Sequence, residues 1–291
     1  MAVKTPLSPD LRRLRKREKR EKQREENPKR ALKMHALRIA SESTSLDSNL
    51  KIPALNIGCS GWFYWDWKGS FYPEKMPTKE WFPYYTRHFS TVELNAPFYS
   101  WPTANTVKGW VHQAGESDFV YTVKVCELIT HVKQFRHTKT LVKDFGWIAH
   151  LLGRRMGCFL FQLPPSYHYS PSRLKMILNQ LDPSMRNVVE FRHVSWWNEK
   201  VYKAFQKSGT IFCSCSAPQL PDKLITTAEE IYIRFHGLTK WYRHDYTTQE
   251  LSLWVDRIKK SGCKRVWAYF NNDWDAFAIK NAKEFAHLLS I

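Results

Sequence analysis

Eight short apolar segments recur along the chain, and six of them end at polar or charged residues. The segments span residues 55–59, 91–95, 119–125, 158–163, 188–191, 210–214, 231–236 and 266–270. Their length and apolar character predict β-strands that are buried on both faces. A chain with this repeat is expected to form one large sheet, with its polar groups gathered where the strands end.

Stretches with helical spacing separate the apolar segments. Trp81, Tyr84, Tyr85 and His88 follow the i, i+3, i+4, i+7 pattern, and residues 141–152, 251–258 and 278–289 show similar spacing. Strands that alternate with helices in this way predict an α/β fold, a (β/α)8 TIM-type barrel, over residues 51–291. The alternative is an open doubly wound sheet, which would be expected to carry GxGxxG after its first strand. The sequence there, 58–62, reads GCSGW and favours the barrel.

Residues 1–50 differ from the rest of the chain in composition. They carry 14 Lys+Arg against 7 Asp+Glu, and the charged run 11–30 has almost no apolar face. We expect a disordered basic N-terminal extension or a transient solvated helix that stops at Pro28, followed by a polar linker over 41–50. The basic run fits a nuclear-import or nucleic-acid-binding arm, and it fits a non-specific solvated tail equally well.

Composition narrows the classes of partner and compartment. The formal net charge is +18, and residues outside the extension carry 31 Lys+Arg against 20 Asp+Glu, which favours a polyanionic or phosphate-bearing partner. The sequence shows no membrane-length apolar run and no apolar signal segment. The six Cys have no CxxC or zinc spacing, so we expect buried free thiols in a reducing compartment, the cytoplasm or nucleus. The oligomeric state stays open.

The polar residues at the predicted strand ends form a candidate site. Side chains alternate along a strand, so Glu93 shares a face with Asn95, and Arg234 shares one with His236. TIM-type barrels carry their active sites at the carboxyl ends of the strands. The predicted catalytic residues are Glu93, Glu190 and His236. The predicted substrate-binding residues are Asn95, Tyr99, Lys124, His131, Gln162, Arg192, Trp196, Arg234, Trp241, Tyr242, Asn271 and Asn272.

Each predicted role has a structural alternative. The two glutamates could act as general acid and base, or they could pair with the cations and fill the top of the lumen. The cations could clamp a phosphate, and the aromatic rings could stack on a base or sugar or seal the rim. No cofactor is predicted. A divalent metal is disfavoured because the chain lacks HxH, HExxH and paired-Asp motifs and because neighbouring Arg and Lys repel a dication.

A series of motifs in a fixed order resembles the DUF72, or YecE-like, family. The motifs are GCSGW (58–62), WKGSFYP (67–73), TVELN (91–95) with Phe98-Tyr99, Lys124 with Thr130-His131, QLPP (162–165), EFRH (190–193) with Ser195-Trp196, RFHG (234–237) with Trp241-Tyr242, and YFNND (269–273) with Asn281-Ala282. The resemblance runs from about residue 55 to 287 and implies a TIM-type barrel without implying a reaction. A similarity of family members to apurinic-endonuclease barrels would point to nucleic acid. Ser216 and Ala276 stand where the family usually has Asp and Gly.

Three functions remain open at this stage. The leading hypothesis is a hydrolase- or lyase-like acid–base enzyme that acts on a phosphorylated or nucleic-acid-derived substrate at the barrel mouth. The second is a non-catalytic nucleic-acid-binding protein, suggested by the net charge and the basic extension. The third is a small-molecule isomerase or lyase whose cations hold a substrate carboxylate.

Overall fold

The sheet of this protein is a closed barrel of parallel strands. The computed structural model describes residues 8–41 and 52–291. The strands are β1 (Leu55–Cys59), β2 (Thr91–Leu94), β3 (Val120–Lys124), β4 (Met156–Gln162), β5 (Asn187–Glu190), β6 (Ile211–Ser216), β7 (Glu230–Phe235) and β8 (Arg265–Phe270). They pair in chain order, and β8 pairs with β1 to close the ring. The predicted TIM-type barrel is confirmed, and every predicted segment overlaps a strand.

Helices follow or precede the strands as the spacing predicted. They are α1 (Pro9–Ala40), α2 (Trp81–Thr86), α3 (Ala96–Tyr99), α4 (Ala104–Ala114), α5 (Lys139–Leu152), α6 (Pro171–Gln180), α7 (Glu199–Ser208), α8 (Thr248–Ser261) and α9 (Phe277–Ser290). A π-helical turn, Leu128–Val132, follows β3. Among the described residues, no helix combines the length and apolar character that crossing a bilayer requires.

Two apolar layers lie on opposite faces of the strands. The outward layer packs against the helices and includes Leu94, Phe161 and Phe235, whereas the lumen holds Leu160 and Tyr232 among others. Polar groups in the lower lumen bond to each other: Tyr269 OH lies 2.8 Å from the hydroxyl oxygens of both Thr91 and Thr122. The strand-top side chains therefore rest on a packed floor.

The predicted burial of the cysteine thiols is found at five of the six positions. Cys263 is partly exposed, and all six are free thiols. On β6, the sulfur atoms of Cys213 and Cys215 lie 3.9 Å apart on the lumen side. They pack with other lumen residues as small apolar groups.

The expectation of a disordered extension is wrong for the residues that the structure describes. Residues 9–40 form the single helix α1, and Pro28 lies inside it instead of ending it. The extension residues 1–7 and 42–50, which include nearly all of the predicted polar linker, lie outside the described part of the chain, as does residue 51. Ala31 and Met34 of α1 are only 1% and 2% exposed, because the helix packs against the barrel.

Polar contacts fix α1 in place. Asn27 Oδ1 accepts a hydrogen bond from the Trp101 backbone N–H at 2.8 Å, and Arg30 donates to Ser100 Oγ at 2.5 Å. Further along the helix, the Arg38 Nε–H donates to Asp144 Oδ1 at 2.9 Å. Positions 20, 24, 27, 31, 34 and 38 advance by alternating steps of four and three, which puts them on one helix face. That face is largely polar, so a search for apolar periodicity does not find it.

Candidate active site at the barrel mouth

Two buried glutamates share one arginine at the top of the lumen. Arg234 donates from Nη2 to Glu93 Oε1 at 2.6 Å and from Nη1 to Glu190 Oε2 at 2.7 Å. Ser60 Oγ and Tyr232 OH donate to the two oxygens of Glu93 at 2.7 and 2.5 Å. All the strands involved bring these groups to the same end of the barrel, as the alternation predicted. The glutamates compensate the arginine, since an unpaired charge would be very unfavourable there.

Arg192 and His236 complete the arrangement around Glu190. The Arg192 Nε–H donates to Glu190 Oε1, and the His236 Nε2 lies 3.2 Å from the same oxygen. On the other side of the ring, the Asn271 amide lies 3.1 Å from His236 Nδ1. Arg192 Nη2, which can only donate, lies 3.0 Å from the same Nε2, so both ring nitrogens face a donor and Nε2 also faces the Glu190 carboxylate.

Burial and pairing set the charges of this cluster. Burial acts to raise the pKa of Glu190, but Arg192 and Arg234 hold that pKa well below its usual value. Burial together with the same two arginines lowers the pKa of His236 well below its usual value. Glu190 is therefore an anion and His236 a neutral ring at neutral pH.

A pocket of about 680 Å³ opens above this cluster. Its volume falls in the range of small-molecule sites. The predicted site residues that line it are Asn95, Tyr99, Lys124, His131, Gln162, Arg192, Arg234, Tyr242 and Asn271. The lining also includes Arg20, Arg24, Tyr64, Phe98, Glu127, Pro165 and Asp273, which the sequence reasoning did not select as site residues.

Six predicted site residues are not part of the pocket lining. Glu93, Glu190 and His236 are fully buried beneath the pocket and bond to the arginines. Trp196 is buried with its ring stacked on Phe191 and its Nε1–H bonded to Tyr167 O. Asn272 is buried and donates to Asn281 Oδ1. Trp241 supports the Arg192 guanidinium, whose carbon lies 4.7 Å from the ring centroid.

Lys124 is a pocket residue without an ionic partner. In the described part of the chain its ammonium nitrogen makes no hydrogen bond or ion pair, and it lies over the Phe98 ring at 4.3 Å. Burial, followed by the charge of Arg234, lowers the pKa of Lys124 to about 7. A lysine in this state is half neutral at physiological pH and can accept a proton.

Asp273 is a group that can donate a proton and so complements Lys124, which can accept one. The residue follows β8, and its Oδ1 is shielded from solvent with no hydrogen-bond partner among the described residues. Burial raises the pKa of Asp273 to about 8, although a hydrogen bond with Tyr64 and then the charge of Arg234 act in the opposite direction. At neutral pH the side chain is mostly a carboxylic acid that can donate a proton. The chain order alone could have indicated it, because it ends the strand-eight motif 269–273.

The cationic side chains of the site affect both the protonation of His131 and the binding of a metal ion. Burial and then Lys124 lower the pKa of His131 to about 4, so the ring is neutral, and its Nδ1 lies 2.9 Å from Thr130 Oγ1. Glu190, Cys215 and His236 bring potential metal-ligand atoms within 4.8 Å of one another. Arg192 contacts both Glu190 and His236, with its Nη2 3.0 Å from His236 Nε2. The positive charge of Arg192 therefore opposes a cation bound by these ligand atoms.

A tight loop after β7 positions Tyr242. Gly237 has φ +102°, and an added Cβ would lie 2.4 Å from Lys240 O, so only glycine fits this turn. The turn lets the Tyr242 N–H donate to His236 O at 2.6 Å and brings the ring to the pocket. Ser216, where the resemblance implies an Asp, is buried and accepts a hydrogen bond from Tyr246 OH at 2.9 Å.

The fold and site define a TIM-type barrel protein with a charged pocket at the carboxyl ends of its strands. The family model DUF72, "Protein of unknown function DUF72", matches residues 56–291, so this chain belongs to the DUF72 family. The UPF0759 protein YunF of Bacillus subtilis is 27% identical over 271 residues, which cover 81% of this chain and 94% of YunF. The UPF0759 protein YecE of Escherichia coli is 34% identical over 112 residues, which cover 38% of this chain and 40% of YecE.

Solved structures show the same barrel. The crystal structure of a DUF72 family protein from Thermotoga maritima has a TM-score of 0.73 and 27% identity, over 82% of this chain and 100% of that chain. A DUF72 family protein from Enterococcus faecalis has a TM-score of 0.69 and 18% identity, over 81% and 96% of the two chains. The helix α1 lies outside residues 56–291, the part that the family model matches.

Proposed function

We propose that this protein is an acid–base enzyme that acts on a small phosphorylated molecule in the pocket at the barrel mouth. The observation that carries the proposal is the pairing pattern. The buried glutamates neutralise Arg192 and Arg234, whereas Lys124 and Asp273 face the same pocket without ionic partners. Groups left unpaired in a pocket are available to exchange protons with a bound molecule.

Neutral Lys124 would take a proton from the substrate, and protonated Asp273 would give one. The substrate loses one proton and gains one, so its charge is unchanged, and Lys124 and Asp273 recover their protonation states by exchange with solvent. Glu93 and Glu190 act as positioning residues, because they hold the two arginines against the pocket floor. This chemistry needs side chains of the chain alone.

The pKa values of Lys124 and Asp273 predict that the enzyme is active over a narrow range of pH. Lys124 has to be neutral, which favours pH above about 7, and Asp273 has to be protonated, which favours pH below about 8. The rate is expected to rise with pH up to about 7 and to fall above about 8. Because Lys124 and Asp273 face one pocket, their titrations are coupled. The rising and falling parts of the pH–rate profile therefore give apparent pKa values of the pair and not of either residue alone.

The experiment is a screen for proton exchange in D₂O. Sugar phosphates, glycerol phosphates and nucleoside monophosphates are incubated with the full chain, and ¹H NMR detects deuterium entering a C–H position or a new product. We expect Lys124→Met and Asp273→Asn to lose at least about a hundredfold in rate, the usual contribution of a general acid or base. The matched controls are Lys108→Met and Asp256→Asn, which change exposed residues of α4 and α8.

Two results would contradict the proposal. The first is that no compound in the panel exchanges or reacts. The second is that K124M and D273N process an accepted compound as fast as the control variants do. In the second case the chemistry would lie elsewhere in the protein.

A further inference from the structure

The positive charges of the pocket come from two separate parts of the chain. Within the barrel, two arginines, Arg192 and Arg234, face two carboxylates, Glu93 and Glu190, so their charges cancel. On the α1 side, two arginines share one carboxylate: Arg20 and Arg24 both pair with Glu127. The excess positive charge among these ion pairs is therefore contributed by α1.

The α1 arginines are placed to contact a ligand. Arg20 is half-buried, its guanidinium carbon lies 4.2 Å from the Tyr99 ring centroid, and its Nη1–H donates to Tyr99 O at 3.4 Å. Arg24 donates from Nε to Glu127 Oε1 at 3.0 Å and keeps 54% of its side chain exposed. Both residues line the pocket together with Tyr99 and Glu127.

The helix that carries them is also held by contacts of other α1 residues. Asn27 bonds to the backbone at Tyr99 and Trp101, with distances of 3.3 and 2.8 Å, and Met34 is buried in the interface. These contacts help to fix the orientation of α1 without using the guanidinium groups of Arg20 and Arg24, which pair with Glu127 in the pocket lining. A guanidinium pair in a fixed position is a strong recognition element for a phosphoryl group.

We propose that α1 is part of the substrate site, and that Arg20 and Arg24 bind a phosphoryl group of the ligand in the barrel pocket. This inference rests on the proposed function, because it names where the phosphoryl group of that substrate is held. It also adds a helix outside residues 56–291 to the site, so the phosphoryl specificity of this chain depends on a segment that the family barrel does not supply.

The test is isothermal titration of the full chain with inorganic pyrophosphate. Arg20→Gln/Arg24→Gln is compared with the matched control Arg12→Gln/Arg15→Gln, which removes the same charge from exposed positions of the same helix. We expect the first variant to lose about ten- to a hundredfold in affinity, the usual effect of lost hydrogen bonds to a charged group. The control is expected to stay within about twofold, because screening weakens distant exposed charges.

A further variant separates binding from helix docking. R20Q/R24Q leaves the buried Glu127 carboxylate without its partners, which could release α1 from the barrel. The triple variant R20Q/R24Q/E127Q removes that charge as well. Hydrogen exchange over residues 27–34 reports whether α1 stays docked, and the triple variant is expected to stay docked while its pyrophosphate affinity remains low.

The outcomes also distinguish this inference from the proposed function. If R20Q/R24Q binds pyrophosphate like the wild type while Arg192→Gln binds it weakly, α1 is not part of the site and the barrel pocket alone holds the anion. If the wild-type chain binds no pyrophosphate, both this inference and the phosphorylated substrate class are wrong. A docked triple variant with wild-type affinity would also overturn the inference.

Discussion

Asp273 shows most directly how burial at a single residue changes chemistry. Its folded-state pKa of about 8 lies above the ordinary value of 3.8, so the folded protein holds a proton that the unfolded chain releases between these pH values. Stability is therefore lost as pH rises from about 4 to about 8. We expect the stability of Asp273→Asn relative to wild type to increase steadily across this range, as measured by urea unfolding at several pH values.

Asp256→Asn is the control for this comparison, since Asp256 is exposed on α8. Its difference from the wild type should not vary with pH over the same range. A D273N difference that is equally constant would show that Asp273 titrates normally in the folded protein. The residue would then be an ordinary anion and a poor proton donor at neutral pH.

Glu190 illustrates a second residue-scale effect, the dependence of two buried cations on one anion. Glu190→Gln removes the charge that Arg192 and Arg234 share, while the side chain keeps its size. We expect a loss of about 3 kcal/mol in the free energy of unfolding, the usual effect of breaking a buried ion pair. Chemical denaturation measures this loss, and Glu116→Gln on the exposed surface after α4 is the control. A loss below about 1 kcal/mol would mean that the arginines find other compensation.

At the scale of elements, the start of α9 contains a strained turn. Ala276 precedes α9 with φ +58°, and Asp275 before it has φ +52°. Glycine adopts this conformation without steric penalty. Ala276→Gly is therefore expected to stabilise the protein by about 1 kcal/mol. Thermal and urea unfolding measure the gain, and an unchanged or lower stability would show that the alanine methyl group contributes more through packing than the turn loses in strain.

The helix α1 is expected to consist of two halves with different stabilities. In its exposed first part, residues 10–19, Arg13 pairs with Asp10 and Arg17 pairs with Glu21, and no side chain is buried. Asn27, Ala31 and Met34, by contrast, are buried against the barrel. Hydrogen exchange should be fast over 10–19 and slow over 27–34. Asn27→Ala removes the two hydrogen bonds to the chain at 99–101 and should accelerate exchange over 27–34.

The comparison for N27A is Gln23→Ala, which changes a half-buried residue one helical turn earlier. Exchange over 27–34 should remain slow in Q23A. If N27A leaves this protection unchanged, the apolar contacts of Ala31 and Met34 and the ion pairs are sufficient to hold the helix. The role of Asn27 would then be limited to the local backbone at Trp101.

At the scale of the whole molecule, the sequence predicts features that depend on alternation and fails where contact surfaces are polar. The strands and the placement of Glu93, Glu190 and Arg234 in one cluster follow from the alternation of side chains along apolar segments. The docking of α1 does not follow, because its contact face uses Asn and Arg partners that only the folded barrel provides. The raised pKa of Asp273 cannot be predicted from the sequence either, since it depends on burial by several distant segments.

The pocket floor also shows the limit of residue type as a guide to role. Glu93 and Glu190 were predicted as acid and base, and the alternative was that they pair with cations at the top of the lumen. The structure pairs them with the arginines and places them beneath the pocket. Their participation in catalysis stays a prediction. Their neutralising effect on the barrel arginines nevertheless means that the charge of the barrel mouth cannot be counted from its cations alone.

The net charge of +18 predicts a second, weaker interaction that involves the whole surface. We expect duplex DNA to bind with an affinity that falls steeply with salt, because cations spread over α1 and the barrel displace counterions from phosphates. R12Q/R15Q and R20Q/R24Q each remove two charges, so each should reduce the slope of log affinity against log salt by the same amount, at most about two. Fluorescence anisotropy at several salt concentrations measures these slopes.

Comparing the two double variants distinguishes binding through the overall surface charge from binding at a specific site. Pyrophosphate binding should respond to R20Q/R24Q alone, whereas DNA binding should respond to both double variants. If R20Q/R24Q weakens DNA binding and R12Q/R15Q does not, the nucleic acid contacts the barrel mouth, and a nucleic-acid substrate becomes the better assignment for the pocket. Equal effects of the two variants would mean that DNA binding reflects the charge of the molecule and that the pocket serves a small anion.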